Sequence, residues 1–125
     1  MIVYDTGALV AAERSSRQLW ALHAAALRKS LSPLVPAGML AQAWRGGPQA
    51  NLSRLLAGCT VMPLDEPFAR AAGTLCGRAG TTDVVDAAVV ILAQLAGATI
   101  VTGDPDDVHR LVEAAGGIPA KVHAI

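Results

Sequence analysis

Cysteine is scarce in this sequence. Cys59 and Cys76 are the only two, too few and too irregularly placed for a disulfide framework or for zinc-ligand spacing, so a reducing, cytoplasmic setting is expected. They read as small buried hydrophobes. Large rings are scarce too: Trp20, Trp44, Tyr4 and Phe68 are the whole set, and the interior has to be built from Ala, Val and Leu. Lysine occurs only at Lys29 and Lys121, and ten acids offset ten cations. A neutral chain lacks the overall basic footprint of a strong sequence-independent nucleic-acid binder, so a nucleic-acid ligand would have to be held locally. An unbroken membrane-length apolar run is missing as well. The stretch from Val84 to Val101 comes nearest, but Asp86, Gln94 and Gly97 interrupt it, and it reads as a buried helix followed by a buried strand. Met1 to Tyr4 runs straight into Asp5, so no secretory signal is expected.

What remains is an aliphatic chain of 125 residues, the usual size of one domain. A single domain over 1–125 is expected. Short β-type runs at Ile2–Tyr4, Leu34–Pro36, Cys59–Met62, Ala98–Val101 and Ala120–Ala124 alternate with helical patterns. The helices are read over Ala8–Glu13, Gln18–Lys29, Gly38–Arg45, Gln49–Ala57, Asp65–Gly77, Asp83–Ala96 and from Asp104–Pro105 to the Gly116–Gly117 stop. Thr6 and Gly7 read as a turn, and Thr81 and Thr82 as helix caps. Because the strands are apolar throughout, the expected fold is α/β: an α/β/α sandwich around a central, mainly parallel sheet covered on both faces.

In such sheets, sites form outside the carboxyl ends of the strands. Asp5 ends the first strand and Asp104 follows the fourth. Asp83 and Asp86 lie three apart on one face of the first turn of the helix preceding that strand. Together with Asp106 and Asp107, most of the negative charge can gather at one edge. Clustered carboxylates repel one another and raise each other's pKa unless a cation holds them. Oxygen ligands without His or Cys point to Mg2+ or Mn2+ rather than zinc, and such an ion suits metal-assisted phosphodiester hydrolysis. Asp104, Asp106 and Asp107 can equally cap a helix and complement its dipole, and Asp83 the same. Asp86, set among Val84, Val85, Ala87 and Ala88, and Asp5, after an apolar strand, have no such explanation.

The segments "VYDTGALVAAE", "PAGMLAQAWRGG", "TTDVVDAAVVILA" and "IVTGDPDDVHRL", in that order over essentially the whole chain, resemble the PIN domain, in particular VapC-type toxins. The resemblance implies Mg2+- or Mn2+-dependent cleavage of RNA, frequent homodimers, and inhibition by a small antitoxin whose tail covers the site. By position, Asp5, Asp86 and Asp104 resemble the catalytic, metal-binding acids, and Asp83 and Asp107 auxiliary ones. Thr6 and Thr102 match hydroxyls that neighbour the site. Where the family usually has Glu, this chain has Gln42, an oxygen ligand without charge. Arg45, one turn on, either faces a phosphate or lies on the surface.

Two functions remain open at this level. One is a metal-dependent endoribonuclease, the toxin of a toxin–antitoxin pair. The other is a PIN-fold module that, having Gln42, holds RNA or an antitoxin without efficient cleavage. A haloacid-dehalogenase-type phosphatase is set aside because Gly7 stands where its second Asp belongs, and a receiver domain because Met62 and Pro63 end the middle strand. His23 reads as a packed or surface residue, His109 and His123 as without partners for a metal triad, and Trp20, Met39 and Trp44 as core or dimer-interface residues.

Overall fold

The apolar triplet Ile2–Tyr4 forms the first strand, β1, of a computed structural model that describes residues 1–125. The chain continues through α1 (Thr6–Glu13), α2 (Arg17–Arg28), β2 (Leu34–Pro36), α3 (Ala37–Ala43), α4 (Ala50–Ala57) and β3 (Thr60–Met62). It is completed by α5 (Glu66–Ala79), α6 (Val84–Ala96), β4 (Thr99–Thr102), α7 (Pro105–Ala115) and β5 (Val122–Ala124). The strands form one sheet in the order β3-β2-β1-β4-β5, and every pairing is parallel. The chain builds outward from β1 in one direction and then, after β3, crosses to its other side. The crevice between the carboxyl ends of β1 and β4 is therefore a topological switch point, where open α/β sheets carry their sites. The register sets Tyr4 beside Val101, so Asp5 emerges next to Thr102.

Both faces of β1 are covered. Helix α6 lies over β1, β2 and β4, while α5 and α7 pack around it. Surrounded in this way, α6 buries Ala87, Ala88, Val89, Val90, Leu92 and Ala93, and its apolar character all round follows. Helix α1 packs against β1 and β4 and against α2, α3 and α4. The core between the layers is aliphatic: Val3, Leu9, Leu19, Val35, Leu52, Leu55, Ile100 and Val101 are fully enclosed. Tyr4, the one enclosed large ring, pairs its hydroxyl with His23 Nδ1 at 2.9 Å. Trp20 stands edge-on to the same imidazole. His23 is thus a packed histidine, and burial pushes its pKa down. Both cysteine thiols are free, and burial pushes them up, Cys59 to about 12, which leaves them unreactive.

The sequence pattern located every element, but several ends differ. Thr6 and Gly7 are not a turn: they form the first turn of α1, because Asp5 caps it by accepting from the Ala8 N–H at 2.9 Å. Asp83, rather than Thr81 or Thr82, caps α6, accepting from the Asp86 N–H, while the Thr81 hydroxyl accepts from the Asp83 N–H. Helix α3 stops at Ala43, since Trp44 is extended ahead of Gly46, Gly47 and Pro48. Trp44 is not a core residue but 41% exposed, whereas Met39 is enclosed.

One backbone contact sets the site's framework. A Cβ added at Gly7 would lie 2.9 Å from both the Cα and N of Gly103, and one at Gly103 3.3 Å from the Cα of Gly7. The β1–α1 and β4–α7 connections touch here, and only glycine permits it. By contrast, a Cβ at Gly73, inside α5, meets nothing within 4 Å. Gly7→Ala is expected to destabilise the protein by about 1–3 kcal/mol through overpacking, whereas Gly73→Ala should stabilise it by roughly 0.5–1 kcal/mol through helix propensity. Urea denaturation of the two variants checks this; equal effects would show that the glycine contact does not constrain the crevice.

Candidate functional site

Asp5 is the deepest acid at the switch point, 6% exposed. As the cap of α1 it owes its position to the strand-to-helix turn, and its backbone N–H donates to Val101 O across the sheet. Burial pushes its pKa up, opposed by hydrogen bonding from the Thr102 hydroxyl and from the backbone N–H groups of Ala8, Gly103 and Gly7. The glycine contact therefore supplies donors to this carboxylate as well as space. Thr102 is itself fully buried and its oxygen accepts from the Asp104 N–H at 2.8 Å, tying the start of α7 to Asp5.

Asp86 enters from the first turn of α6. It is half-buried, and its pKa is pushed up to about 7 by desolvation first, then by its hydrogen bond with Asp83 and by the charges of Asp83, Asp5 and Asp107. Four carboxylates from three separate parts of the chain therefore act on one another. A shallow cavity of about 80 Å3 opens over three of them, lined by Thr81, Asp83, Asp86, Asp107 and Arg110 among others, while Asp5 lies outside it. Its one cation, Arg110, stands 3.7 Å from Asp107 on the exposed rim of α7. No basic side chain forms an ion pair with Asp5 or Asp86.

The expected residues are distributed unevenly around this point. Asp5, Asp83, Asp86 and Asp107 come together. Asp104 lies at the mouth as the exposed cap of α7, its Oδ1 3.4 Å from the Asp107 N–H, and it is not among the charges acting on Asp86. Asp106 is exposed on the same turn. Gln42 does reach the site: its Oε1 accepts from the hydroxyl of Thr6, next to Asp5, and that hydroxyl also contacts Met39 Sδ. Arg45 points its guanidinium at the carbonyls of Ala41 and Trp44. The sequence reading missed Arg110 and Gln49. Gln49 is buried and clamps three elements, accepting from the Arg45 N–H and donating to Glu13 and Ala43; as a polar residue beside Pro48 it carried no signal of burial.

The donors facing the crevice are carboxylate, hydroxyl and amide oxygens, the chemistry of a hard divalent ion. Nowhere do three Asp, Glu, His or Cys side chains close on one point as direct ligands. That arrangement suits an ion such as Mg2+, which keeps several waters and takes one or two carboxylates.

Residues 2–114 match the PIN domain family. The chain belongs to the PIN domain family. PIN domains are in general nucleases and typically use divalent metal ions. Among solved structures, this PIN domain is similar to a chain of VapBC2 from Rickettsia felis, solved bound to a DNA fragment from its promoter, with a TM-score of 0.69 and 16% identity over 100% of this chain and 99% of that one. It is similar to PAE2754 from Pyrobaculum aerophilum (TM-score 0.62, 16% identity, 97% and 87% covered). It is also similar to a chain of FitAcB from Neisseria gonorrhoeae (TM-score 0.60, 16% identity, 98% and 96% covered). At such identities these likenesses speak for the fold. No curated protein matches the sequence.

The raised pKa of Asp86 gives the PIN domain a testable pH dependence. Between about pH 4 and pH 7 the folded protein keeps a proton that the unfolded chain, with its ordinary value of 3.8, has lost. Without a metal, this group's contribution therefore falls as pH rises through that window. Asp86→Asn removes the penalty and is expected to raise stability at pH 7.5 in chelator by about 1 kcal/mol after allowing for solvent screening, or roughly 3–6 °C in Tm. Thermal melts at pH 5 and 7.5 check it: the gain should vanish at pH 5, and an equal gain at both would refute the carboxylate repulsion.

Proposed function

We propose that this PIN domain is a divalent-metal-dependent endoribonuclease, using Mg2+ or Mn2+, and that it is the cytoplasmic toxin of a toxin–antitoxin pair. The observation that carries the reading is the set of carboxylates around Asp86, pressed together at the switch point without a basic partner for Asp5 or Asp86. In this reading Asp5 and Asp86 hold the ion directly, and Asp104 completes the catalytic acids from the mouth of the crevice. Asp83 and Asp107 would help to hold the ion as auxiliary acids and supply charge that Gln42 lacks. When bound, the ion supplies a water of lowered pKa and neutralises charge developing on the phosphate.

The residues of the chain prepare this chemistry. Asp5 is held by the Ala8 N–H at 2.9 Å, which fixes the orientation of its carboxylate at the edge of the crevice. Thr102 locks that orientation from below, and Thr6 fixes Gln42 at the edge. Arg110, tethered to Asp107, offers the leaving strand a cation on the far rim. Support for a protein partner, an antitoxin, comes from fold relatives solved in VapBC2 and FitAcB. An apolar groove of about 360 Å3 lined by Ala37, Leu40, Ala41, Trp44 and Leu56 offers a seat for another chain, either the second copy of a homodimer or the antitoxin. No single helix is long and apolar enough to cross a membrane.

Cleavage of single-stranded RNA is expected to require Mg2+ or Mn2+ and to fall on the order of 10^2-fold or more in Asp5→Asn and Asp86→Asn. Gel analysis of an RNA digest with and without chelator checks this, and cleavage that survives in chelator would end the proposal.

A specific observation favours the second reading, a weakened PIN-fold binder. The amide oxygen of Gln42 is already engaged by Thr6, which reduces its use as a ligand. Gln42→Glu separates the two. If a metal site is present, the added carboxylate should tighten Mn2+ binding roughly 10-fold, a gain of about 1.4 kcal/mol, and raise cleavage. Calorimetric titration reads the affinity; weaker binding or an unchanged Kd would count against a metal beside Asp5.

A further inference from the structure

Zero net charge conceals a segregation of charge between the two helical layers. Residues 1–60 carry six cations, Arg14, Arg17, Arg28, Lys29, Arg45 and Arg54, against Asp5 and Glu13. Residues 61–125 carry four cations against eight acids. All six cations of the first group are exposed, and none has an ion pair, since the two salt bridges of the molecule, Glu66–Arg70 and Asp107–Arg110, lie on α5 and α7. The layer of α1 to α4 is therefore basic and unneutralised, while the site and the α5–α7 layer are acidic.

A series of contacts links the site to these cations. Gln42, bonded to Thr6, lies near the end of α3, and Arg45 follows it across the extended Trp44. The backbone of Arg45 is tied through Gln49 to Glu13, the residue before Arg14. Asn51 then bonds the carbonyl of Glu13 and the hydroxyl of Ser15, binding α4 to this corner. One turn along α4, the Arg54 guanidinium lies 4.2 Å above the ring of Trp20, and Arg17 is one turn before Trp20 on α2. Asn51 to Arg54 and Arg17 to Trp20 are each one helical turn, the spacing at which side chains share a face, and the remaining links hold Arg45 and Arg14 at the same corner of the layer.

We propose that this path, Arg45, Arg14, Arg54 and Arg17, is the track on which the backbone of single-stranded RNA lies as it leaves the carboxylate site. The inference rests on the nuclease reading of that site and adds where the substrate's affinity comes from. Phosphates are repelled by clustered carboxylates, and a bound divalent ion relieves this only for the phosphate it touches. The remaining affinity has to come from cations elsewhere, and the acidic α5–α7 layer cannot provide it. All four track residues are arginines, whose planar forks match phosphate oxygens and stack on exposed bases. Each neutralised phosphate of a single strand contributes a salt-dependence slope of about 0.7.

The test measures binding rather than cleavage. Fluorescence anisotropy of a labelled 20-nucleotide RNA, in chelator and over a series of salt concentrations, is read for the intact protein and for the Arg14→Gln/Arg17→Gln/Arg45→Gln variant. Arg54 is left in place because it packs on Trp20. The triple variant, with an unchanged melting temperature, is expected to bind at least 10-fold more weakly and to lose about 2 from the slope of log K against log salt. Arg70→Gln/Arg78→Gln, on α5, should bind as the intact protein does. Equal loss in both variants, or none in the triple variant, would overturn the track, and so would binding of polyglutamate with no binding of RNA. Salt-dependent binding that the triple variant loses, in a protein that cleaves nothing with Mg2+ or Mn2+, would leave the track standing and remove the nuclease reading.

Discussion

A carboxylate pressed against other carboxylates, half out of water, is unfavourable until a cation joins it, and the crevice of this PIN domain is organised around that imbalance. The position of Asp86 makes the conflict unavoidable. It sits on the first turn of a helix anchored by buried Ala87, Ala88, Val89, Val90, Leu92 and Ala93, so its backbone is held beside Asp5 and Asp83. Folding stability is thereby given up at the switch point, the kind of local conflict that recurs at functional sites. The neighbouring parts supply no remedy from within, since Arg110 is engaged by Asp107 on the rim.

The rest of the fold keeps that conflict in place. Gly7 and Gly103 bring two connections into backbone contact, and through them Asp5 gains both its place and its hydrogen-bond donors. Parallel pairing of β1 with β4 aligns the two carboxyl ends, and Thr102, wholly enclosed, joins the strand end to the cap of α7. A site assembled from strand ends and helix caps inherits the rigidity of both. The cost is that its acids serve two roles. Asp5, Asp83 and Asp104 each cap a helix through one oxygen, so each has only part of its carboxylate left for an ion.

That double role explains what the sequence could and could not convey. Short apolar runs separated by Gly, Pro and Asp made the five strands, the helices and the α/β class legible, because burial on both faces leaves a strand no polar positions. Asp86 stood out because nothing local accounts for an acid among Val84, Val85, Ala87 and Ala88, whereas Asp5, expected to have no structural role, proves to be the cap of α1 as well. Asp104 and Asp107 were not separable in this way. Both stand in the first turn of α7, and only the direction of that helix decides that Asp107 acts on Asp86 while Asp104 caps. Gln49 was unreadable for the opposite reason: its burial arises from three partners distant in sequence or set by a bend. The end of α3 was misplaced by two residues because Trp44 and Arg45 favour helix, and the following Gly-Gly-Pro determines the path instead.

Net charge says little about how charge is placed, and the reason is general. A balance of ten against ten describes the chain as seen from far away, beyond a Debye length of roughly 8 Å at physiological salt. A polyanion approaching the surface meets one layer at a time. Because α1 to α4 are contiguous in sequence and lie together in space, the partition was already written in the chain as two halves of opposite sign. It gains meaning only when the fold places the acidic half around the crevice and the basic half beside it. The crevice carboxylates around Asp86 thus face a molecule whose cations are concentrated in the other layer, so the two signs of charge meet at the edge of the switch point.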